Sequence, residues 1–98
     1  SEQDANLEPA TLIEQPPPDY PPEAMDAGMT GIAFVRLRIN ERGGVSDICL
    51  IVVQPPGFGF GQAAVQALRQ SRFEPATVDG KPVPTYRIQY LSWSMSRP

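Results

Sequence analysis

The sequence predicts an α+β fold in two layers: a three-stranded antiparallel sheet with two helices on one face, in the order α-β-β-α-β. Three observations carry this. Residues 31–53 hold two runs of period-two alternation separated by the turn cluster Asn40–Gly44, which marks a β-hairpin. An alanine-rich stretch with apolar residues at helical spacing follows. A last alternating run closes the chain at residues 83–93. An apolar sheet face with two amphipathic helices to cover it is a two-layer domain.

The elements follow in order. Residues 1–15 are acidic, weakly periodic and expected to be mobile, with Leu12 and Ile13 as their core-seeking side chains. Gln15–Pro22 is proline-rich and favours polyproline II, which suits either a stiff arm or a ligand for a proline-binding domain. Pro21 and Pro22 suit the first turn of a short helix, where a missing N–H costs nothing. Glu23 complements its positive end, Ala24, Met25 and Ala27 give it an apolar stripe, and Gly28 ends it.

Gly31 to Asn40 then alternates, with Ala33, Val35, Leu37 and Ile39 on the core face and Ile32, Phe34, Arg36 and Arg38 on the other. Val45 to Val53 is its partner, with Ile48 and Leu50 inward. Residues 54–61 break the sheet. A helix runs from Gln62 to about Ser71, capped by Gly61, with Phe60, Ala64, Val65 and Leu68 near one face and Arg69 and Arg72 at its negative end. Val78–Lys81 is a turn. In the last strand Tyr86, Ile88 and Tyr90 are expected to face the core, with Thr85, Arg87, Gln89, Leu91 and Trp93 facing away. Pro84 cannot donate to a ladder, so it places this strand at an edge with one side unpaired.

Composition narrows the function. The net charge of −3 divides into seven acids and no base in residues 1–26, then eight bases against four acids in residues 27–98. A surplus of four scattered bases is not the clustered footprint of a nucleic-acid binder. Histidine is absent and Cys49 is the only cysteine, so neither an internal disulfide nor a Cys/His zinc site can form. No apolar run approaches the roughly 18 residues of a membrane span.

Catalysis needs a titrating or attacking group tuned by a second one. Cys49 sits mid-strand between Ile48 and Leu50, and Asp47 and Asp79 lie in or beside turns. The glycines of Gly57–Gly61 lack the Lys-Ser/Thr of a phosphate loop and do not follow a βαβ pattern. No enzyme is read here, and no cofactor or metal is expected.

Several short motifs, taken together, resemble a known family. They are Tyr20-Pro21 before a short alanine-containing helix, Gly31 opening a strand, and Gly43-Gly44-Val45 at the hairpin. Phe60 with Ala63, Ala64 and Val65 opens the second helix. Arg72-Phe73 with Pro75-Ala76, then Asp79 to Val83, lead into the last strand. In this order, over residues 16 to about 91, the chain resembles the C-terminal domain of TonB-type energy transducers of Gram-negative bacteria. It departs from the family at Ser71, where an aromatic is usual, at Gly61, where Asp is common, and at Pro17, often polar. Phe73 or Tyr86 is expected to fill the space an aromatic at position 71 would take.

The resemblance implies a periplasmic, non-catalytic module of a protein anchored in the inner membrane by an N-terminal helix not in this chain. It implies as partners the TonB-box peptide of outer-membrane transporters and, through that N-terminal region, the inner-membrane proton-channel complex, for uptake of iron chelates or cobalamin. The peptide would add as a strand beside the last strand, with contacts at Tyr20, Pro21, Val83, Thr85, Tyr86, Arg87, Ile88, Gln89, Tyr90 and Leu91. Among these, Arg87 would favour an acidic peptide and Thr85 and Gln89 would select by hydrogen bonds. The alternatives are a homodimer through the same edge, and a periplasmic sensor or cell-wall-binding module. The domain proper spans residues 16–93, with a tail at 94–98.

Overall fold

The computed structural model describes residues 6–95; the expectations for residues 1–5 and 96–98 lie outside it. In chain order the elements are β1 (Leu7–Glu8), β2 (Thr11–Glu14), α1 (Pro22–Ala27), β3 (Gly31–Ile39) and β4 (Val45–Gln54). Then come α2 (Phe60–Arg69), β5 (Arg72–Glu74), β6 (Ala76–Val78), β7 (Lys81–Val83) and β8 (Thr85–Trp93). The main sheet has the order β4-β3-β8 and is antiparallel throughout. The two helices and three long strands thus appear in the expected succession. The short strands are additional: β2 pairs with β5, and β1-β6-β7 form a second small sheet.

The β3–β4 hairpin follows the sequence closely. Ala33, Val35, Leu37 and Ile39 are fully buried, while Phe34 and Arg36 between them are exposed. Asn40 closes the turn: its side-chain oxygen accepts from the Arg42 and Gly44 amides at 2.9 and 3.0 Å. Gly43 has φ of 86°, and a Cβ there would stand 1.9 Å from the Phe73 carbonyl oxygen. The same residue accepts the Phe73 amide at 2.8 Å, so the turn is seamed to β5 as well as closed on itself. Register shifts at Phe34/Val35 and Arg38/Ile39 put irregularities into β4. Ile48 packs on the core as expected, but Leu50 keeps 42% of its surface exposed at the sheet margin.

Both helices cover the inward face. α2 begins at Phe60 rather than Gln62, with Gly59 as its N-cap, because Phe60 must point down onto Gly31. A Cβ at Gly31 would lie 2.5 Å from the Phe60 ring, so glycine is what lets the ring sit on the strand. Phe60, Ala63, Ala64, Ala67 and Leu68 form the buried stripe. In α1 only Ala24 of the expected stripe is buried; Met25 and Ala27 turn to solvent, since six residues present one position to the sheet. Ser71 is buried and donates to the Ala67 carbonyl at 3.1 Å, which satisfies its hydroxyl. Phe73, buried, packs in the core just beyond the helix, whereas Tyr86 lies on the surface.

The last strand is inverted relative to expectation. Leu91 and Trp93 are buried and Thr85, Arg87 and Gln89 half-buried, while Tyr86, Ile88 and Tyr90 are 63%, 54% and 53% exposed. Pairing explains it. Residues directly opposite across an antiparallel ladder share a face. β8 is set with Leu91 opposite Ala33 and Trp93 opposite Gly31, which puts all odd-numbered residues inward. Trp93 stacks on Phe60 at 4.9 Å and donates its indole N–H to the Asp19 carbonyl at 2.9 Å. This aromatic nest over Gly31 fixes the parity. The tyrosines left outside find partners there: Tyr90 lies 5.0 Å from Phe34, and Arg36 sits over Tyr86 at 5.2 Å.

Inversion turns Arg87 and Gln89 toward the core side, where unpaired polar groups are costly. Residues 7–15, expected as a mobile leader, supply what they need. β2 pairs antiparallel with β5, β1 with β6, and Asn6 and Asp79 exchange two hydrogen bonds. The segment then runs beneath β8 in the same direction. Arg87 donates to the Ala10 carbonyl at 2.9 Å and Gln89 to the Gln15 side chain at 3.1 Å. With Trp93 bonded to Asp19, three inward side chains of β8 are tied to successive points of one strap. Ala10 itself is buried in the core cluster, while Leu12 and Ile13 remain about half exposed.

Candidate functional site

β8 offers the most regular free edge among the described residues. It pairs with β3 over nine consecutive positions, from Ile39↔Thr85 to Gly31↔Trp93, without a bulge. Among the described residues no strand pairs on its other side. In an antiparallel ladder successive residues alternate the direction of their N–H and C=O groups, so every second residue of β8 points its pair outward. β4 is the opposite edge, but its two irregularities break the row of donors and acceptors that an incoming strand would need.

The free edge is flanked differently on its two sides. The outer side carries Tyr86, Ile88 and Tyr90, backed by Arg36 and Phe34 of β3. Cys49, exposed, stands opposite Arg36 on β4 and therefore shares this face. The inner side carries Thr85, Arg87 and Gln89 with the strap beneath them. Arg87 also lies over the Phe73 ring at 5.3 Å. Its guanidinium is thus occupied inside the domain, against the expectation that it reads an acidic peptide from the outward face. Gln89, bonded to Gln15, is likewise turned inward.

The remaining candidate residues divide by place. Thr85, Ile88, Tyr90 and Leu91 belong to β8, Leu91 as a core residue. Val83 lies on β7, paired with Ala76 and separated from β8 by Pro84, so it is outside the main ladder. Tyr20 donates its hydroxyl to the Met29 carbonyl and sets its ring edge-on to Phe60 at 6.1 Å. Pro21, buried, is the N-cap of α1. Both sit at the Trp93 end of β8 through the Asp19 bond, but in packing roles. The strap residues Ala10 and Gln15 were missed; the short β-prone run Thr11-Leu12-Ile13 was the signal for them.

Among the described residues, no three His, Cys, Asp or Glu side chains come together as a metal site. No helix among them is long and apolar enough to cross a membrane. What the arrangement can do is hold an extended chain by its backbone.

Comparison with known proteins bears on the family and the fold. No curated protein sequence gives a significant match. The fold is similar to the solution NMR structure of the Pseudomonas aeruginosa TonB C-terminal domain, with a TM-score of 0.75 and 26% identity, covering 95% of this chain and 93% of that one. A sequence model of the Gram-negative bacterial TonB protein C-terminal family matches residues 16–94, which takes in both helices and the whole main sheet. The chain belongs to the family of TonB protein C-terminal domains.

Proposed function

We propose that this domain binds the TonB-box peptide of an outer-membrane transporter by adding it as a fourth strand beside β8. In this role it is the non-catalytic, periplasmic end of an energy transducer whose inner-membrane partners drive uptake. The observation that carries the proposal is the nine-residue, unbulged edge of β8, paired on one side only among the described residues. Strand addition takes its affinity from main-chain hydrogen bonds and its selection from alternate side chains. Four or five such bonds at about 0.5–1.5 kcal/mol each, less an ordering cost of about 2–5 kcal/mol, give reversible attachment. A transducer that must let go of its transporter needs that.

Titration of the 15N-labelled chain with transporter plug-segment peptides tests this. Amide shifts are expected along Thr85–Leu91 and on the facing residues of β3, spreading to few others. Shifts confined to α1 and α2 would sink the proposal. The same edge could instead pair with a second copy of the chain, favoured by the exposed Tyr86, Ile88 and Tyr90 beside it. Sedimentation as a monomer at every concentration removes that reading.

A further inference from the structure

The start of β8 and the strap enclose a crevice of about 400 Å³ lined by Leu7, Pro9, Ala10, Thr85, Tyr86 and Arg87. Tyr86 points to the outer face of the sheet and Thr85 and Arg87 to the inner, so a space touched by all three must reach around the strand. No residue of β3 lines it. It therefore opens on the unpaired side of β8, in line with the row of free backbone groups. Its walls are mostly apolar, formed by Leu7, Pro9, Ala10, Thr85 and Tyr86. Its one charge, Arg87, is drawn away to the Ala10 carbonyl and the Phe73 ring.

We propose that this crevice is a side-chain subsite of the peptide-binding edge, taking one apolar side chain of the added strand. The inference rests on the strand-addition reading above. A peptide residue opposite Thr85 or Arg87 shares their face, and its side chain descends between β8 and the strap. The volume is ample for the side chain of a leucine, isoleucine, methionine or phenylalanine. Residues 7–10 thereby acquire a second role: they hold the inverted strand and also form the wall that selects its partner. The edge alone recognises any extended chain, whereas the crevice fixes the register in which that chain docks.

The test uses a plug-segment peptide that binds in the titration above, with each of its apolar residues shortened in turn to alanine. Each peptide is titrated into the full chain, into Leu7→Ser and into Tyr86→Ser. Leu7 and Tyr86 are each 63% exposed, so neither change should unfold the domain, and the amide spectrum of β3 verifies that. At one peptide position, shortening is expected to weaken binding to the full chain about tenfold. The same shortening should weaken binding to both variants by less than about twofold. Binding by the full chain with no position coupled to Leu7 or Tyr86 overturns the subsite and leaves strand addition standing. A glutamate accepted at the coupled position as well as the native residue overturns its apolar character. Absence of binding to the full chain overturns both readings together.

Discussion

Trp93→Ala is expected to lower the unfolding free energy by about 3–5 kcal/mol, the usual cost of truncating a buried large aromatic. Trp93 is 3% exposed, stacks on Phe60 and holds Asp19 through its indole N–H. Its loss opens a cavity above Gly31 and frees the chain that enters α1. Tyr86→Ala removes a side chain of comparable size from the same strand. It should cost less than about 1 kcal/mol, because Tyr86 is largely exposed and gives up little beyond its outer-face contact with Arg36. Urea unfolding of the two variants measures the difference. The contrast is diagnostic of strand parity: had β8 faced the other way, the tyrosine would be the costly residue and the tryptophan the cheap one.

Gly43→Ala is the second large effect. The residue combines a left-handed φ of 86° with a carbonyl oxygen 1.9 Å from where a Cβ would sit. The left-handed conformation costs an L side chain roughly 1–2 kcal/mol, and forcing apart a packed contact adds roughly 1–3 kcal/mol. The two together predict a loss of about 2–5 kcal/mol. The displaced group is the backbone of Phe73, so the seam between the hairpin and β5 must open. Gly44→Ala supplies the control one residue away. A Cβ there meets only the Asn40 side chain, its nitrogen nearest at 3.4 Å, and the backbone is not left-handed. It should cost under about 1 kcal/mol in the same urea measurement.

These two residues also show what sequence could and could not reveal. The turn at Asn40–Gly44 and the parity of β3 were legible because both depend on neighbours in sequence: four consecutive inward positions are apolar, and Asn40 closes its own turn. Which of the two glycines is indispensable was not legible, since the Phe73 backbone that forbids a Cβ lies thirty residues on. The last strand misled for a related reason. Its alternation Tyr86, Ile88, Tyr90 is the more apolar of the two sets, so hydropathy alone turns it inward. The ladder with β3 and the Phe60–Trp93 stack override that preference, and the polar odd-numbered residues are tolerated because the strap accepts their hydrogen bonds.

The strap was the least legible part. β2 meets β5 across some sixty residues of chain, and four residues of moderate β propensity carry little local signal against an acidic background. Yet its position follows from the inversion of β8. Arg87 and Gln89 cannot face inward without acceptors, and Ala10 and Gln15 are those acceptors. The candidate site fared unevenly for the same reason. The last strand does lie at an edge, but Pro84, which suggested it, falls between β7 and β8 outside the ladder, and the side chains on the two faces are exchanged. Tyr86, Ile88 and Tyr90 now border the outer side of the proposed peptide groove. Arg87, once a candidate reader of peptide charge, becomes a residue that positions the strap.

The central claim is that β8 has one side paired to β3 and the other free for a peptide, and amide hydrogen exchange along Thr85–Trp93 tests it most directly. In the free chain, protection should alternate with a period of two residues, slow where the N–H meets β3 and fast where it faces the open edge. A bound plug-segment peptide should slow the fast set and leave α1 and α2 unchanged. Uniform protection of β8 in the free chain at low concentration, or a peptide that protects the helices and not the fast amides of β8, would contradict it.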